Sequence, residues 1–286
     1  MNTEKYSWKP ELKHRLKNEG YIHLKNFFSK KEINDICYLI YQLIGYIILS
    51  NKLHINRNRY SMEIFDSAYM DLITTNEKFH RIIYDAVKNL PGLISIISSG
   101  KSISLATYLL ETPHIGIAHR SYGIRIDKPF DNIFMTDWHQ DFHSHARAKK
   151  GLVFWVPISA YSPDIGMLKI LKSSHIHGPR KVRKLIDIAL DKTEYTKKAN
   201  SIKIEKIDKI LEKSKVILIE ASQRDLVIFD YMTVHRSGYN RSSRCRWSIQ
   251  ARYFSFEDEW GINMGWPGSI TCGKSYEEII PELIVV

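Results

Sequence analysis

A mainly β fold wrapped by helices, of the α+β class, is what this sequence predicts, and three observations predict it. From Ser104 onward the chain breaks into short apolar or alternating stretches that read as strands. Before that point it reads as helices and connections. Between Gly178-Pro179 and Ser214 lies a charged, helix-prone segment too long for an ordinary connection.

The elements follow in order. Ser29, followed three residues later by Glu32, forms a capping box ahead of the apolar run Ile33 to Leu49, so a helix is expected to start there. Asn34, Asp35, Tyr38, Tyr41 and Gln42 interrupt that run, which falls short of the ~20 consecutive apolar residues a membrane span needs. It reads as a core helix, with one face available to a second copy of the chain. Residues 51 to 100 read as helical and connecting, with a break at Pro91-Gly92. The expected strands are Leu105 to Leu110, Gly123 to Ile126, Ile133 to Asp137, Leu152 to Ile158, Met167 to Leu171, Val216 to Ile219, Leu226 to Phe229 and Trp247 to Phe254. Eight strands are the count of a double-stranded β-helix, the jelly-roll or cupin-like arrangement of two facing sheets. The expectation is one domain over 1–286: a helical part (1–103), a jelly-roll core (104–256) interrupted at 178–214, and a C-terminal tail (257–286).

Chemistry concentrates at His139-Gln-Asp141 and His235. Residues i and i+2 of a strand project to one side, so His139 and Asp141 would share a cavity that His235, from a neighbouring strand, could close. Two imidazoles and a carboxylate on one face of an ion leave the opposite positions open, which suits non-haem Fe(II) and dioxygen. Beyond His235 a Gly-containing turn leads to a strand on which Arg246 and Ser248, two apart, face the same way. A guanidinium and a hydroxyl so placed can take the far carboxylate of a dicarboxylate, which implies 2-oxoglutarate as cosubstrate. Arg252 continues that face by strict alternation.

These blocks resemble the phytanoyl-CoA dioxygenase-like family of Fe(II)/2-oxoglutarate oxygenases over most of the chain. The resemblance is carried by Leu16 to Ile33, Trp138-His139-Gln140-Asp141-Phe142-His143, Phe154 to Ile158, Gly166 to His175, and His235-x-Ser237-Gly238-x-Asn240 with Arg246 eleven residues past the histidine. It implies His139, Asp141 and His235 as iron ligands, Arg246 and Ser248 at 2-oxoglutarate, and Trp155 lining the cosubstrate pocket, although an aromatic on an apolar strand is as often core. The retained Asp141, where related halogenases carry a small residue, implies hydroxylation. The chain departs from the family at two turns. Arg224-Asp225 stands where Gly-Asp is usual, and Lys172-Ser173 precedes Ser174-His175 where Pro-Gly is common. The local loop shape is therefore in question there.

Three further residues are candidate substrate contacts, each with a plainer alternative. His143 would share the face of Asp141 or sit exposed on the next loop. His175, with His177, flanks the start of the long insertion, read either as a lid over the site or as a helix docked outside the barrel. Arg125 would aim a charge into the barrel mouth or form a surface ion pair. Convergence of Arg125, Lys149, Lys150, Arg180 and Lys181 at the mouth would favour a carboxylated or phosphorylated small-molecule substrate.

Composition narrows the partners. Lys+Arg number 42 against 31 Asp+Glu, a balance of +11, but the excess is diffuse and interleaved with acids and apolar residues, as on a solvated face. No nucleic-acid partner is expected on that basis, although a nucleic-acid-associated protein is one alternative reading and a catalytically inactive jelly-roll metal or ligand binder is another. Cys37, Cys245 and Cys272 show no disulfide or zinc spacing, and the N-terminus lacks the apolar core of a secretory signal, so a cytoplasmic location is expected.

Overall fold

The computed structural model describes residues 6–131, 135–145, 147–184, 202–266 and 273–285. Helix α1 (Pro10–Glu19) begins on a proline, whose fixed φ suits a first turn, and ends at Gly20 in the left-handed conformation, φ 80°. Strand β1 (Tyr21–Leu24) follows. Ser29 then caps α2 (Lys30–Ser50): its hydroxyl accepts from Glu32 N while the Glu32 carboxylate accepts from Ser29 N, the expected capping box. Ile33, Ile36, Cys37, Ile40, Ile44 and Ile47 recur at helical intervals and are buried, whereas Tyr38, Tyr46 and Leu49 are exposed. By length and composition α2 and the stretch Pro91–Leu110 could each cross a membrane, yet both bury a face in the domain core. Helices α3 (Tyr69–Thr75), α4 (Lys78–Ala86), α5 (Pro91–Ile97) and α6 (Gly100–Leu110) complete the helical layer.

Helix α6 corrects one expectation. Leu105 to Leu110 is helix, not strand, so the helical part runs past residue 103. Ser99 accepts from Ser102 N as its cap, and the buried Leu105, Ala106, Leu109 and Leu110 follow the period of a helix, which an apolar run so short disguises.

Strands follow: β2 (Ile115–Ile117) and β3 (Gly123–Asp127), then the short helix α7 (Asp141–His145), β4 (Gly151–Pro157), β5 (Leu168–Leu171), β6 (Val182–Lys184), β7 (Ile202–Ile204), β8 (Val216–Ile219), β9 (Leu226–Asp230), β10 (His235–Arg236), β11 (Arg246–Ser255) and β12 (Ile284–Val285). The expected strand at Ile133 to Asp137 falls partly outside the described residues, and Met135–Asp137 is irregular. The large antiparallel sheet runs β1-β9-β4-β11-β2, with β3 also paired to β11, and a second sheet runs β10-β5-β8. This is the jelly-roll arrangement of two sheets.

Alternation along the strands decides what the large sheet faces. Leu152, Phe154, Val156, Leu226, Ile228, Trp247, Ile249, Ala251 and Tyr253 pack with the isoleucines of α2 and the rest of the helical layer. Val153, Trp155, Val227 and Phe229 point the other way and pack with Leu168, Ile170 and Ile219 of the second sheet. Strand β4 is accordingly buried along its whole length. The inward positions of β3 and β11 are polar instead: Arg125 and Asp127 on one, Arg246, Ser248, Gln250 and Arg252 on the other. That polar quarter of an otherwise apolar interior is where the site forms.

The insertion is less helical than expected. Its described parts give β6 and β7, an antiparallel pair that β12 extends in parallel, and a short helix at Ile207–Glu212. Val182, Ile204 and Ile207 pack with Tyr276, Ile279 and Ile280 of the tail. The lid expectation rests largely on 185–201, outside the described residues.

At the two unusual turns the backbone keeps the conformation that glycine would favour. Arg224 has φ 78° and Ser173 φ 61°, a region that costs a residue with Cβ roughly 1 kcal/mol. Local bonds offset it: Arg224 Nε donates to Phe28 O (3.1 Å) and Ser173 Oγ to Asn18 O (2.6 Å). Both turns therefore hold a left-handed backbone without glycine.

Candidate active site

His139 and His235 come together through an antiparallel bridge in which each backbone N–H donates to the other residue's carbonyl at 3.0 Å. Their ring centroids lie 4.1 Å apart. Each Nδ1 lies against the carbonyl two residues before it, Asp137 O at 2.8 Å for His139 and Thr233 O at 2.9 Å for His235. A carbonyl can only accept, so Nδ1 carries a proton in both rings and Nε2 is the nitrogen left to meet a metal. Both Nε2 atoms face Asp141: Oδ1 is 3.5 Å from His139 Nε2 and 3.8 Å from His235 Nε2. The ligand atoms of the three residues all lie within 4.8 Å of one another.

One part of the expected geometry is wrong. His139 and Asp141 do not alternate along a strand, because the backbone bends after the bridge and Asp141 opens α7. The carboxylate reaches the imidazoles from a helical turn instead.

Electrostatics prepare the trio for a cation. Burial pushes the His235 imidazole down to about 3, helped by the neighbouring His139, so the ring is neutral at ordinary pH. Burial alone would raise the Asp141 carboxyl, but the Arg252 guanidinium and the imidazoles outweigh it and hold it well below the usual range. A buried carboxylate beside two imidazoles is a donor set that fits a divalent first-row metal, iron included.

Arg246 is buried at the start of β11. Nη2 and Nε donate to Asp127 Oδ2 (2.9 and 3.2 Å), and Nη1 donates to the carbonyls of Gly166 and Gly238. It lines a small cleft with Trp155, Pro157, Met167, Ile219 and Ala221, so Trp155 is both largely buried and a wall of that cleft. Ser248, next on the same face, is 1% exposed and its Oγ has no partner among the described residues. Such a buried hydroxyl fits a ligand acceptor reaching it.

The remaining candidates are drawn into the framework. Arg125 does not form a surface pair: Nε binds Asp127 Oδ1 at 2.7 Å and Nη1 binds Thr136 Oγ1 at 2.7 Å. His143 is buried, not loop-exposed, and donates from Nε2 to Arg180 O at 2.8 Å. His175 is committed to the N-terminal helix, with Nε2 against Lys17 O at 3.0 Å. The backbone N–H groups of Lys149 and Lys150 donate to the Asp258 carboxylate.

Other residues were not singled out from the sequence. Asp127 lies between the guanidiniums of Arg125 and Arg246, which keep it ionised against burial. Strict alternation from Arg125 would have placed it inward. Gln140 uses its amide to hold Met232 O (2.5 Å), Gly178 O (3.0 Å) and Arg180 N (2.7 Å), tying the ligand loop to the segment before His235 and to the root of the insertion. All three partners are main-chain atoms distant in sequence, so no local signal marks it.

Residues 111–248 match the family model described as phytanoyl-CoA dioxygenase (PhyH). No curated protein matches the sequence. Among solved structures, the non-haem alpha-ketoglutarate-dependent carbocyclase SnoK of nogalamycin biosynthesis is similar at TM-score 0.53 and 14% identity, over 89% of this chain and 86% of that one. The epimerase SnoN, solved with Fe3+, alpha-ketoglutarate and nogalamycin RO, is similar at TM-score 0.52 and 15% identity, over 86% and 82%. EctD from S. alaskensis, solved with 2-oxoglutarate and 5-hydroxyectoine, gives TM-score 0.54 and 12% identity, over 90% and 82%. At such identities the structures speak for the fold, and the family match falls on the segment that carries the triad, the cleft and Arg246. Over residues 111–248 this chain is similar to the phytanoyl-CoA dioxygenase family, and its fold is that of the Fe/2-oxoglutarate-dependent oxygenases.

Proposed function

We propose that the chain is an Fe(II)- and 2-oxoglutarate-dependent dioxygenase that hydroxylates an unactivated C–H bond of a small, anionic or carrier-linked metabolite. The observation that carries this reading is the meeting of two Nε2 atoms with one carboxylate oxygen, in a fold that also buries Arg246 at a cleft and, two residues on along the same strand, a Ser248 hydroxyl without a partner among the described residues. His139, Asp141 and His235 would hold Fe(II), which with 2-oxoglutarate supplies the activation of O2.

The protein's own groups bind, orient and keep out water. Arg246 would receive the far carboxylate of 2-oxoglutarate, with Ser248 as second donor. Asp127 fixes the plane of the Arg246 guanidinium, and because one carboxylate stands between two guanidiniums the cluster keeps a net positive charge for an incoming anion. Trp155 and Met167 give the cleft apolar walls, so a charge-assisted bond formed there is strengthened by low polarity. The carboxylate retained at Asp141 fills the position that a halide would need, which supports oxygen transfer as the outcome. Relatives of the fold bear names as different as epimerase and carbocyclase, so the course of the oxidation is set by how the substrate sits above the metal.

Succinate release from 2-oxoglutarate, with Fe(II), ascorbate and air, tests the reading. The wild-type chain is expected to release succinate and to add one oxygen atom to its substrate, while Asp141→Ala and His139→Ala release none. Turnover retained in either variant would defeat the ligand assignment.

A further inference from the structure

We propose that Arg252 is a positioning residue for Asp141: by holding Oδ2 it leaves a single oxygen, Oδ1, to face the ion. The inference rests on the reading of His139, Asp141 and His235 as a metal site. Arg252 Nε donates to Asp141 Oδ2 at 2.8 Å, and both side chains are buried, 8% and 1% exposed. The guanidinium is itself fixed from two further directions, by Ser121 O on Nη1 at 2.8 Å and by Gln250 Oε1 on Nη2 at 3.0 Å. Three separate segments therefore determine where it sits: the turn before β3, the strand β11, and α7.

The two carboxylate oxygens are divided between two tasks. Oδ1 is the one that both imidazoles approach, at 3.5 and 3.8 Å. Turning the carboxylate to offer both oxygens to an ion would break a buried, charge-assisted hydrogen bond and leave a buried guanidinium without its counter-charge. Arg252 thus restricts the protein to three donor atoms and keeps the other coordination positions free for exchangeable ligands. It also neutralises a carboxylate that has little water, so the donor set is ready before a metal arrives.

Co(II), whose d–d absorption reports ligand number, is the probe. Binding to the full chain is measured by calorimetry and by that absorption in wild type, His235→Ala, Arg252→Lys and Arg252→Gln, with thermal melts alongside. Wild type is expected to take one Co(II) and His235→Ala to lose it. Arg252→Gln should bind on the order of tenfold more weakly or worse, as for other groups that orient a ligand, with an altered d–d band, and Arg252→Lys should recover part of both. A folded Arg252→Gln that binds within about twofold of wild type with the same band would overturn the inference and leave the metal reading standing. Should Arg252→Gln fail to fold, Gln250→Ala, which removes only the Nη2 partner, replaces it; a weakened affinity or a shifted band supports the inference, and an unchanged affinity and band overturns it. A wild-type chain that binds no Co(II), or binding that survives His235→Ala, overturns the metal reading and the inference with it.

Discussion

His143 makes the folded protein sensitive to acid, and replacing it with glutamine should remove a definable share of that sensitivity. The ring is 1% exposed, its Nε2–H serves the Arg180 carbonyl, and its Nδ1 has no hydrogen-bond partner among the described residues, so a second proton would be poorly solvated. Burial accordingly pushes the group down from 6.5 to about 4, with the Arg180 carbonyl opposing in part. Above pH 6.5 neither the folded nor the unfolded chain protonates this ring and stability is unaffected by it. Below that, the unfolded chain takes up a proton that the folded chain refuses, so stability falls as pH drops toward 4. The full difference, 2.5 units at 1.36 kcal/mol each, is about 3 kcal/mol, of which about 2 kcal/mol is lost by pH 5. His143→Gln keeps a donor within reach of Arg180 O and does not titrate. Urea denaturation of both metal-free proteins at pH 7.5 and pH 5 isolates the ring, because His235 and His145 contribute to each equally. Wild type should lose about 2 kcal/mol more than the variant over that interval. Equal losses would refute the claim that His143 is neutral and sealed in the folded state.

Two further outcomes follow from the same geometry. Gly20→Ala places a Cβ at φ 80° and within 2.5 Å of His175 Nδ1 and 2.9 Å of Thr233 Oγ1, so it should cost about 2 kcal/mol or more, read as a lowered urea midpoint; a neutral result would mean that the end of α1 can reposition freely. Arg246→Lys loses the two-pronged bond to Asp127 and should raise the KM for 2-oxoglutarate on the order of tenfold with a smaller change in kcat, and an unchanged KM would remove Arg246 from the cosubstrate site.

The elements that could be read in the sequence are those long enough to show a period. Strands β4, β9 and β11 alternate or run apolar over five to ten residues, and Ser29 with Glu32 announces α2. Strands β2, β6, β7, β10 and β12 span two or three residues each, too few for any periodicity, and exist because a partner strand lies beside them. The stretch Leu105 to Leu110 was ambiguous because six apolar-rich residues satisfy both periods until a cap is recognised. At the site, the inward face of β11 could be read from strict alternation, and the triad residues from their motif blocks, although the strand spacing assumed for His139 and Asp141 gives way to a bend into α7. The approach of Asp141 from a helical turn, the sharing of Asp127 between two arginines and the grip of Gln140 on three main-chain atoms depend on segments that meet only after folding.

Strand β11 carries Arg246, Ser248 and Arg252 on one side and Trp247, Ile249, Ala251 and Tyr253 on the other. A misaligned strand, displaced by a single residue against β4, would therefore turn three ring or branched side chains toward the ligands and drive the guanidiniums into hydrocarbon. Selection that preserves the pairing of this one strand thus preserves chemistry and foldability at the same stroke.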